Sequence, residues 1–460
     1  MNRSALVAVA TTAFLQCTTL PGQEWYREDR SAPPPARRFH GLGFDPERAV
    51  TVLFGGTDER TGTVYGDTWE FDGRDWRQRA TSGPAARQRF ASCFDRARGT
   101  FVVFGGLDAN GAVLGDAWEW DGNAWKPLVA ANAPAARADA AMAFDEVRGK
   151  LVLFGGRAAD PSQRFGDTWE FDGTNWAQVA PAGAPAPRFG HAMTFDPVRA
   201  VTLLFGGFAG GSGPEAGTYA YDGTTWRDLA PATTPPASVF PALTFHRAHG
   251  VAVLTGSVGS ASQPLRTFAF DGVDWQDGPP AHAQLTGRQG HAMAFDEVRE
   301  AVVLFGGASI AIGGARPLDD TWELSVPAEF QGISVGCATS KGVLRLSAAD
   351  GSRPELGGAL GLTVGPVPPQ SSPFLLLGSS ERSWADVALP IDLAPIGMPG
   401  CWLYTSVEFV APMIPQGETA HALLPIPLDR GLLDKALYAQ VALLGQESAT
   451  SNGGRLRIGN

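Results

Sequence analysis

The chain has 460 residues, a formal net charge of −11, 57 Gly, 35 Pro and 13 Trp. That length exceeds one ordinary core, so several domains or one large repeat architecture are expected. The acidic balance, with no basic run to offset it, excludes nucleic acid and anionic membrane as main partners, because a polyanion requires a basic footprint.

The N-terminus reads as an export signal. Arg3 gives a short positive region, Ala5 to Leu15 an apolar one, and Thr18 to Gln23 a polar stretch with a Pro-Gly break. Residues 1–23 are therefore assigned to a signal peptide, which places the mature chain outside the cell or in the periplasm. Cys17 raises a lipoprotein alternative, although Gln16 before it is a poor residue for a lipid-attachment site. A buried N-terminal strand is the other alternative. No stretch is long enough for a membrane anchor.

Residues 24–326 are dominated by internal self-similarity, the first feature to read in any sequence. Val-Leu-Phe-Gly-Gly or a near copy recurs at Phe54, Phe104, Phe154, Phe205 and Phe305, with Leu254-Thr255-Gly256 filling the missing register. Behind each lies an aromatic (Trp69, Trp118, Trp169, Tyr219, Phe268, Trp322) and, in five units, Asp-Gly followed by Trp76, Trp125, Trp176, Trp226 or Trp275. Ahead of each lies a segment ending Phe-Asp-x-x-Arg, as in Phe44-Asp45 with Arg48 and Phe295-Asp296 with Arg299. Each unit reads as four short strands, A to D, with a tight Asp-Gly hairpin between C and D. The double Gly ending strand B suits a backbone that needs positive φ or has no room for Cβ.

The double Gly, the aromatics at fixed distances after it and a period of about 50 residues resemble the kelch repeat, including the galactose-oxidase type. The resemblance implies an all-β propeller and says little of function, since propellers host many. Glu24-Trp25-Tyr26 looks like a strand D without its A to C, whereas the sixth unit departs after Trp322-Glu323 into Ser325-Val326-Pro327. The N-terminal strand would thus complete a six-bladed ring and remove two exposed edges; a seventh blade drawn from the C-terminal region is the rival. After a linker at 327–334, residues 335–460 read as a β-sandwich-like module of short strands, and Leu432 to Leu437 as one helical turn. Its Gly-Cys and Leu-Pro-Ile-Asp-Leu-Ala segments look like a module carried by secreted bacterial proteins. Cys337 and Cys401 would close a loop of roughly 64 residues as a disulfide, worth about 4 kcal/mol; two buried thiols are the alternative.

Candidate chemistry is sparse. Copper-oxidase chemistry of the galactose-oxidase kind requires a Tyr joined to a Cys, and Cys93 has no evident Tyr partner. His40, His191 and His291 share one register of strand A, which suggests an axial metal or, since Phe90, Ala140 and Pro241 hold that register elsewhere, a packing role. Asp108-Ala109-Asn110-Gly111 lacks the later acidic ligand of a calcium loop and reads as a turn. No metal or cofactor is expected. The Trp set is explained by packing between units, each burial removing about 200 Å² from water.

Arg37, Arg87, Arg137, Arg188 and Arg288 open strand A; Asp67, Asp116, Asp167 and Asp320 open strand C on the same face. They form either a repeated ion pair or a ring of cations round the channel mouth. B–C loops share neither length nor sequence, so they are where specificity would sit. Tyr65, Arg157, Arg164, Phe165, Phe208 and Arg316 are the contact candidates. The expected function is a non-catalytic, secreted binding or scaffold propeller that recognises extracellular protein or carbohydrate through this face. The alternative is a lyase or isomerase acting on an acidic sugar at the arginine-lined mouth.

Overall fold

The computed structural model describes residues 20, 23–28, 32–210, 213–256, 264–311, 314–325, 329–332, 338–339, 342–343, 345–348, 358–379, 383–384, 387–389, 391–393, 402–403, 407–416, 418–426, 436–444, 449–451 and 454–457. Among them every regular element is a strand. Cys17, Cys337 and Cys401 lie outside the described residues, as do 432–435 of the expected helical turn; Ala436 and Leu437 open the strand Ala436–Leu444 instead.

The repeat folds as the spacing requires. In unit one, Gly41–Asp45, Val50–Phe54, Thr68–Phe71 and Trp76–Ala80 form an antiparallel meander in chain order. Units three, four and five repeat it, and unit two adds the two-residue strand Arg87–Gln88. In unit six, strand A is Ala292–Asp296, strand B Ala301–Phe305 and strand C Thr321–Ser325, and the place of D is taken by Glu24–Glu28, antiparallel to Thr321–Ser325. The A strands touch in a circuit: Gly41–Asp45 meets Ala91–Asp95, and contact passes through Ala141–Asp145, Ala192–Asp196, Ala242–His246 and Ala292–Asp296 back to Gly41–Asp45.

Strand B supplies the apolar centre of each sheet, buried on both faces and therefore continuously apolar rather than alternating. The Trp opening strand D is tied sideways to the sheet before it. Trp76 Nε1 donates to Thr321 Oγ1 at 2.9 Å, Trp125 to Thr68 at 2.8 Å, Trp226 to Thr168 at 3.1 Å and Trp275 to Thr218 at 2.9 Å. Trp25 makes the same bond to Thr267 at 2.8 Å, so the N-terminal strand carries a full D-strand signature. Unit two has Ala117 where the others have Thr, and Trp176 is held there by packing alone, near Phe104.

Phe-Asp-x-x-Arg is a self-contained turn. Asp45 Oδ1 accepts from the backbone N–H groups of Glu47 and Arg48 while Oδ2 takes Arg48 Nε at 2.7 Å, and Arg48 reaches on to Glu70. Unit five breaks the motif with His246 and His249. There His246 Nε2 pairs with Gln23 Nε2 at 2.7 Å, and Leu20 is buried in the apolar cluster shared by units five and six. Two residues of the segment read as a leader are thus built into the fold.

Beyond residue 329, two antiparallel sheets share one apolar core. The first contains Glu329–Gly332, Gly454–Arg457, Ala436–Leu444, Ser372–Gly378 and Phe409–Pro412. The second contains Arg345–Ala348, Ala359–Gly365, Thr419–Pro425 and Ile414–Gln416. Leu360, Leu362 and Val364 from one meet Leu375, Val441 and Leu443 from the other.

Candidate functional site

The strand-opening arginines are buried, and their donors are consumed. Arg37 Nε donates to Pro35 O at 2.9 Å, Nη1 to Gly55 O at 3.0 Å, and both Nη atoms to Asp67, at 2.6 and 3.0 Å. Arg87 with Asp116, Arg137 with Asp167 and Arg288 with Asp320 repeat the arrangement. These guanidinium groups hold Asp67, Asp116, Asp167 and Asp320 below the usual carboxylate range against the opposing effect of burial, which on its own would raise them. Arg188 has Gly217-Thr218-Tyr219 where the Asp would be, and pairs with Glu215 at 3.1 Å. Of the two arrangements open for these arginines, the ion pair is made by four, each with the Asp that opens strand C, and all five donate to a double-Gly carbonyl. Tyr65 and Phe165 roof this arrangement, packing 4.0 and 4.1 Å from the guanidinium carbons of Arg37 and Arg137.

The mouth is formed by the position two residues after each of those arginines and after Ser238, which holds their place in unit five. Phe39, Arg89, Asp139, Gly190, Phe240 and Gly290 occupy it, all at φ between 57° and 66°. Their backbones join head to tail: Arg89 N donates to Phe39 O at 3.0 Å, Asp139 N to Arg89 O at 2.7 Å, and Gly190 N to Asp139 O at 2.8 Å. Phe240 N donates to Gly190 O at 2.7 Å, Gly290 N to Phe240 O at 3.4 Å and Phe39 N to Gly290 O at 2.7 Å, which returns to the start. Four residues with side chains sit in the left-handed region, a cost of about 1–3 kcal/mol each. The two glycines make room: a Cβ on Gly190 would come within 2.8 Å of the Phe240 ring, and one on Gly290 within 2.8 Å of Phe39.

Over this ring the side chains make an aromatic and cationic platform. Phe39 and Phe240 meet edge to face at 4.9 Å, and the Arg89 guanidinium lies 3.6 Å from the first ring and 4.9 Å from the second. Burial lowers the Arg89 pKa, opposed by Asp139, whose Oδ1 accepts from Arg89 at 3.1 Å. Asp139 Oδ2 also takes Arg157 Nε at 2.6 Å. Phe189 stacks on Phe208 at 5.5 Å, and Arg164 lies over both, 5.8 and 5.1 Å from their centroids. Arg38 packs 4.5 Å over Phe39 and pairs with Glu59.

Of the loop candidates, Arg157, Arg164 and Phe208 are thus brought together at the mouth, whereas Tyr65 and Phe165 serve the buried arginines. Arg316 is exposed on the hairpin Ala308–Ala311 to Gly314–Pro317. Phe39, Arg89, Asp139, Phe189 and Phe240 were not singled out from the sequence. They stand one residue (Phe189) or two (the other four) after the residue that opens strand A, and both registers change from unit to unit, so no repeated residue type marks them.

The opposite end of the axis is closed by charge. Arg96 pairs with Glu297 at 2.7 Å and faces Glu146 at 3.8 Å, while Arg247 pairs with Glu146 at 2.5 Å and faces Glu297 at 3.5 Å. Between the two ends a cavity of about 190 Å³ is lined by Met142, Met193, Met293, Phe44 and Phe195 among others. Cys93 also lines it; burial pushes its thiol well up, and it is unpaired. No helix among the described residues is long and apolar enough to cross a membrane.

A family model described as the KLHDC2/KLHL20/DRC7 Kelch-repeats domain matches residues 9–172 and, in a second overlapping match, 120–307. Together these span more than half of the chain. No curated protein matches it. Among solved structures, one described as "Structure of YjhT" is similar at a TM-score of 0.47 and 16% sequence identity, covering 64% of this chain and 96% of that chain.

Proposed function

The chain belongs to the kelch-repeat family of that model, and from this premise we propose that residues 24–326 form a six-bladed propeller, closed by the N-terminal strand, that binds an extracellular protein or glycan through the B–C loop face. Closure is supported by the pairing of Glu24–Glu28 with Thr321–Ser325 and by the Trp25–Thr267 bond. The chain is exported, with any leader removed before Leu20, since Leu20 and Gln23 are buried. Residues 335–460 are a separate module of the kind found on secreted bacterial proteins.

One observation carries the binding role: loop residues of different units converge on a single mouth, where Arg89, Arg157 and Arg164 stand among Phe39, Phe189, Phe208 and Phe240. Rigid aromatics beside adaptable cations are the composition of binding hot spots. A strained ring beneath them pre-organises the surface. The alternative of a lyase or isomerase on an acidic sugar loses its main support, because the five arginines it would use are buried against carboxylates and carbonyls. The test exchanges the unit-three loop, 157–166, for the unit-two connection, 107–115, which lacks its arginines, and compares both proteins on a glycan array and an array of extracellular proteins. Retained folding with lost binding supports the reading, and unchanged binding refutes it.

A further inference from the structure

One residue further along each strand-opening segment, the repeat builds a second layer of the mouth. His40, Phe90, Ala140, His191, Pro241 and His291 occupy this register, and all six line a cavity of about 130 Å³ together with Phe39, Arg89, Asp139, Phe240, Gly190 and Gly290. The imidazoles of His40, His191 and His291 are only 7%, 6% and 5% exposed. His40 and His191 each lie beside one backbone group, of Phe305 and Phe154, and His291 Nε2 shares 2.7 Å with Thr255 Oγ1, which leaves at least one nitrogen of each ring, Nδ1 in His291, without a partner among the described residues.

Packing does not explain histidine here. His40 meets Phe305 edge-on at 5.5 Å and His191 meets Phe154 at 5.6 Å, while in unit two Phe90 sits 5.6 Å from Phe54 in the same way. In unit two a phenyl ring fills the register without unpaired polar atoms, each of which costs about 1–3 kcal/mol when buried, with room left by Gly41 of the neighbouring strand, where a Cβ would come within 2.9 Å of Phe90. Three imidazoles in preference to phenyl rings point to something that satisfies their nitrogens.

The chemistry of the lining narrows what that is. Burial, reinforced by Arg37, Arg188 and Arg288 beside the respective rings, keeps all three imidazoles neutral. A neutral imidazole offers one N–H and one lone pair. The charged lining residues, Arg89 and Asp139, already pair at 3.1 Å, so no surplus cation lines the cavity to compensate a desolvated anion. Phe39, Phe90, Phe240 and Pro241 supply apolar walls. At about 30 Å³ per water the space of about 130 Å³ holds roughly four waters, and since a cavity of about 150 Å³ takes a benzene ring, its size suits a single six-membered ring.

We propose that this cavity binds a small uncharged, hydroxyl-rich ring, reached from the B–C loop face as the terminal neutral sugar of a glycan, its hydroxyls pairing with the imidazoles and its apolar face against Phe39 and Phe240. The proposal rests on the glycan reading of the loop face. Entry is from that side, because the other end of the axis is closed by Arg96, Glu146, Arg247 and Glu297.

The test titrates the full chain calorimetrically with the methyl glycosides of glucose, galactose and N-acetylglucosamine, with glucuronate as the charged control, following the histidine ring signals by NMR. The expected result is that a neutral glycoside binds, shifts the imidazole resonances and outcompetes glucuronate. A His40→Ala, His191→Ala variant, carrying the residue that unit three has at Ala140, should lose at least tenfold in affinity while still melting cooperatively. Equal binding by the variant, preference for glucuronate, or no binding of any glycoside at millimolar concentration overturns the cavity assignment. If array binding persists in the variant and is still lost in the loop exchange, the cavity proposal alone fails and the loop-face reading stands. If array binding survives the loop exchange, the loop-face reading is what fails.

Discussion

Removing Arg288 and removing Arg188 should cost different amounts, and the difference can be worked from their partners. Both lose two bonds to backbone carbonyls: Arg288 to Thr286 and Gly306, Arg188 to Ala186 and Gly206. Arg288 also leaves behind Asp320, a carboxylate 12% exposed that keeps the Trp322 indole at 2.7 Å and the more distant charge of Arg27. Arg188 leaves behind Glu215, which is 39% exposed and can turn to water. Stranding a buried charge costs about 3–5 kcal/mol, whereas the carbonyl bonds alone are worth about 2 kcal/mol. Arg288→Ala should therefore be less stable than Arg188→Ala by roughly 2 kcal/mol. For a unit of about 300 residues that is a difference of about 3 °C in melting temperature. Parallel urea and thermal melts by circular dichroism measure it, with Asp320→Asn added to the Arg288→Ala background to relieve the stranded charge. Equal losses in the two single variants, or no recovery in the double variant, would refute the argument that these arginines serve the fold.

Other consequences follow from neighbouring sites. His191, His246 and His291 are held at about 3 in the fold, mainly by burial, against 6.5 when free. The unfolded chain thus binds protons the folded chain refuses, so stability is full above about pH 6.5 and falls as pH drops toward 3. The slope should be at most about 1.4 kcal/mol per pH unit per histidine, and urea melts at pH 7.5, 5.5 and 4.5 should show it flattened by His191→Phe. Ala117→Thr should give Trp176 the hydroxyl partner its counterparts have and raise stability by about 1 kcal/mol; an unchanged midpoint would mean the indole cannot reach it. Trp25→Ala should cost about 3–5 kcal/mol if Glu24–Glu28 closes the ring, and a loss below 1 kcal/mol in denaturant titration would count against closure.

The fold was legible because the repeat writes each of its structural duties five times. The Asp of Phe-Asp-x-x-Arg, the double Gly, the Asp-Gly hairpin and the Trp after it each recur in the same setting, and Trp25 makes the same kind of bond to a Thr as the Trp that opens strand D. The site was less legible for the same reason. Regular positions attract attention, and the regular arginines are structural, whereas Phe39, Arg89, Asp139 and Phe240 share a backbone geometry and no side-chain chemistry. Their ring comes from left-handed backbone at one register, which no residue type announces when Phe, Arg and Asp adopt it as well as Gly. Arg157, Arg164 and Phe208 were found because loop irregularity flags them, but their meeting point depends on which units face each other across the axis.

The most direct test of the account compares binding and melting of an Arg89→Ala, Arg164→Ala variant with those of the unaltered chain on the same arrays. The account requires binding to be lost or cut at least tenfold in a variant that still melts cooperatively, since Arg157 stays on Asp139 when Arg89 is removed. Unchanged binding by a folded variant would contradict it, and would place recognition away from the mouth.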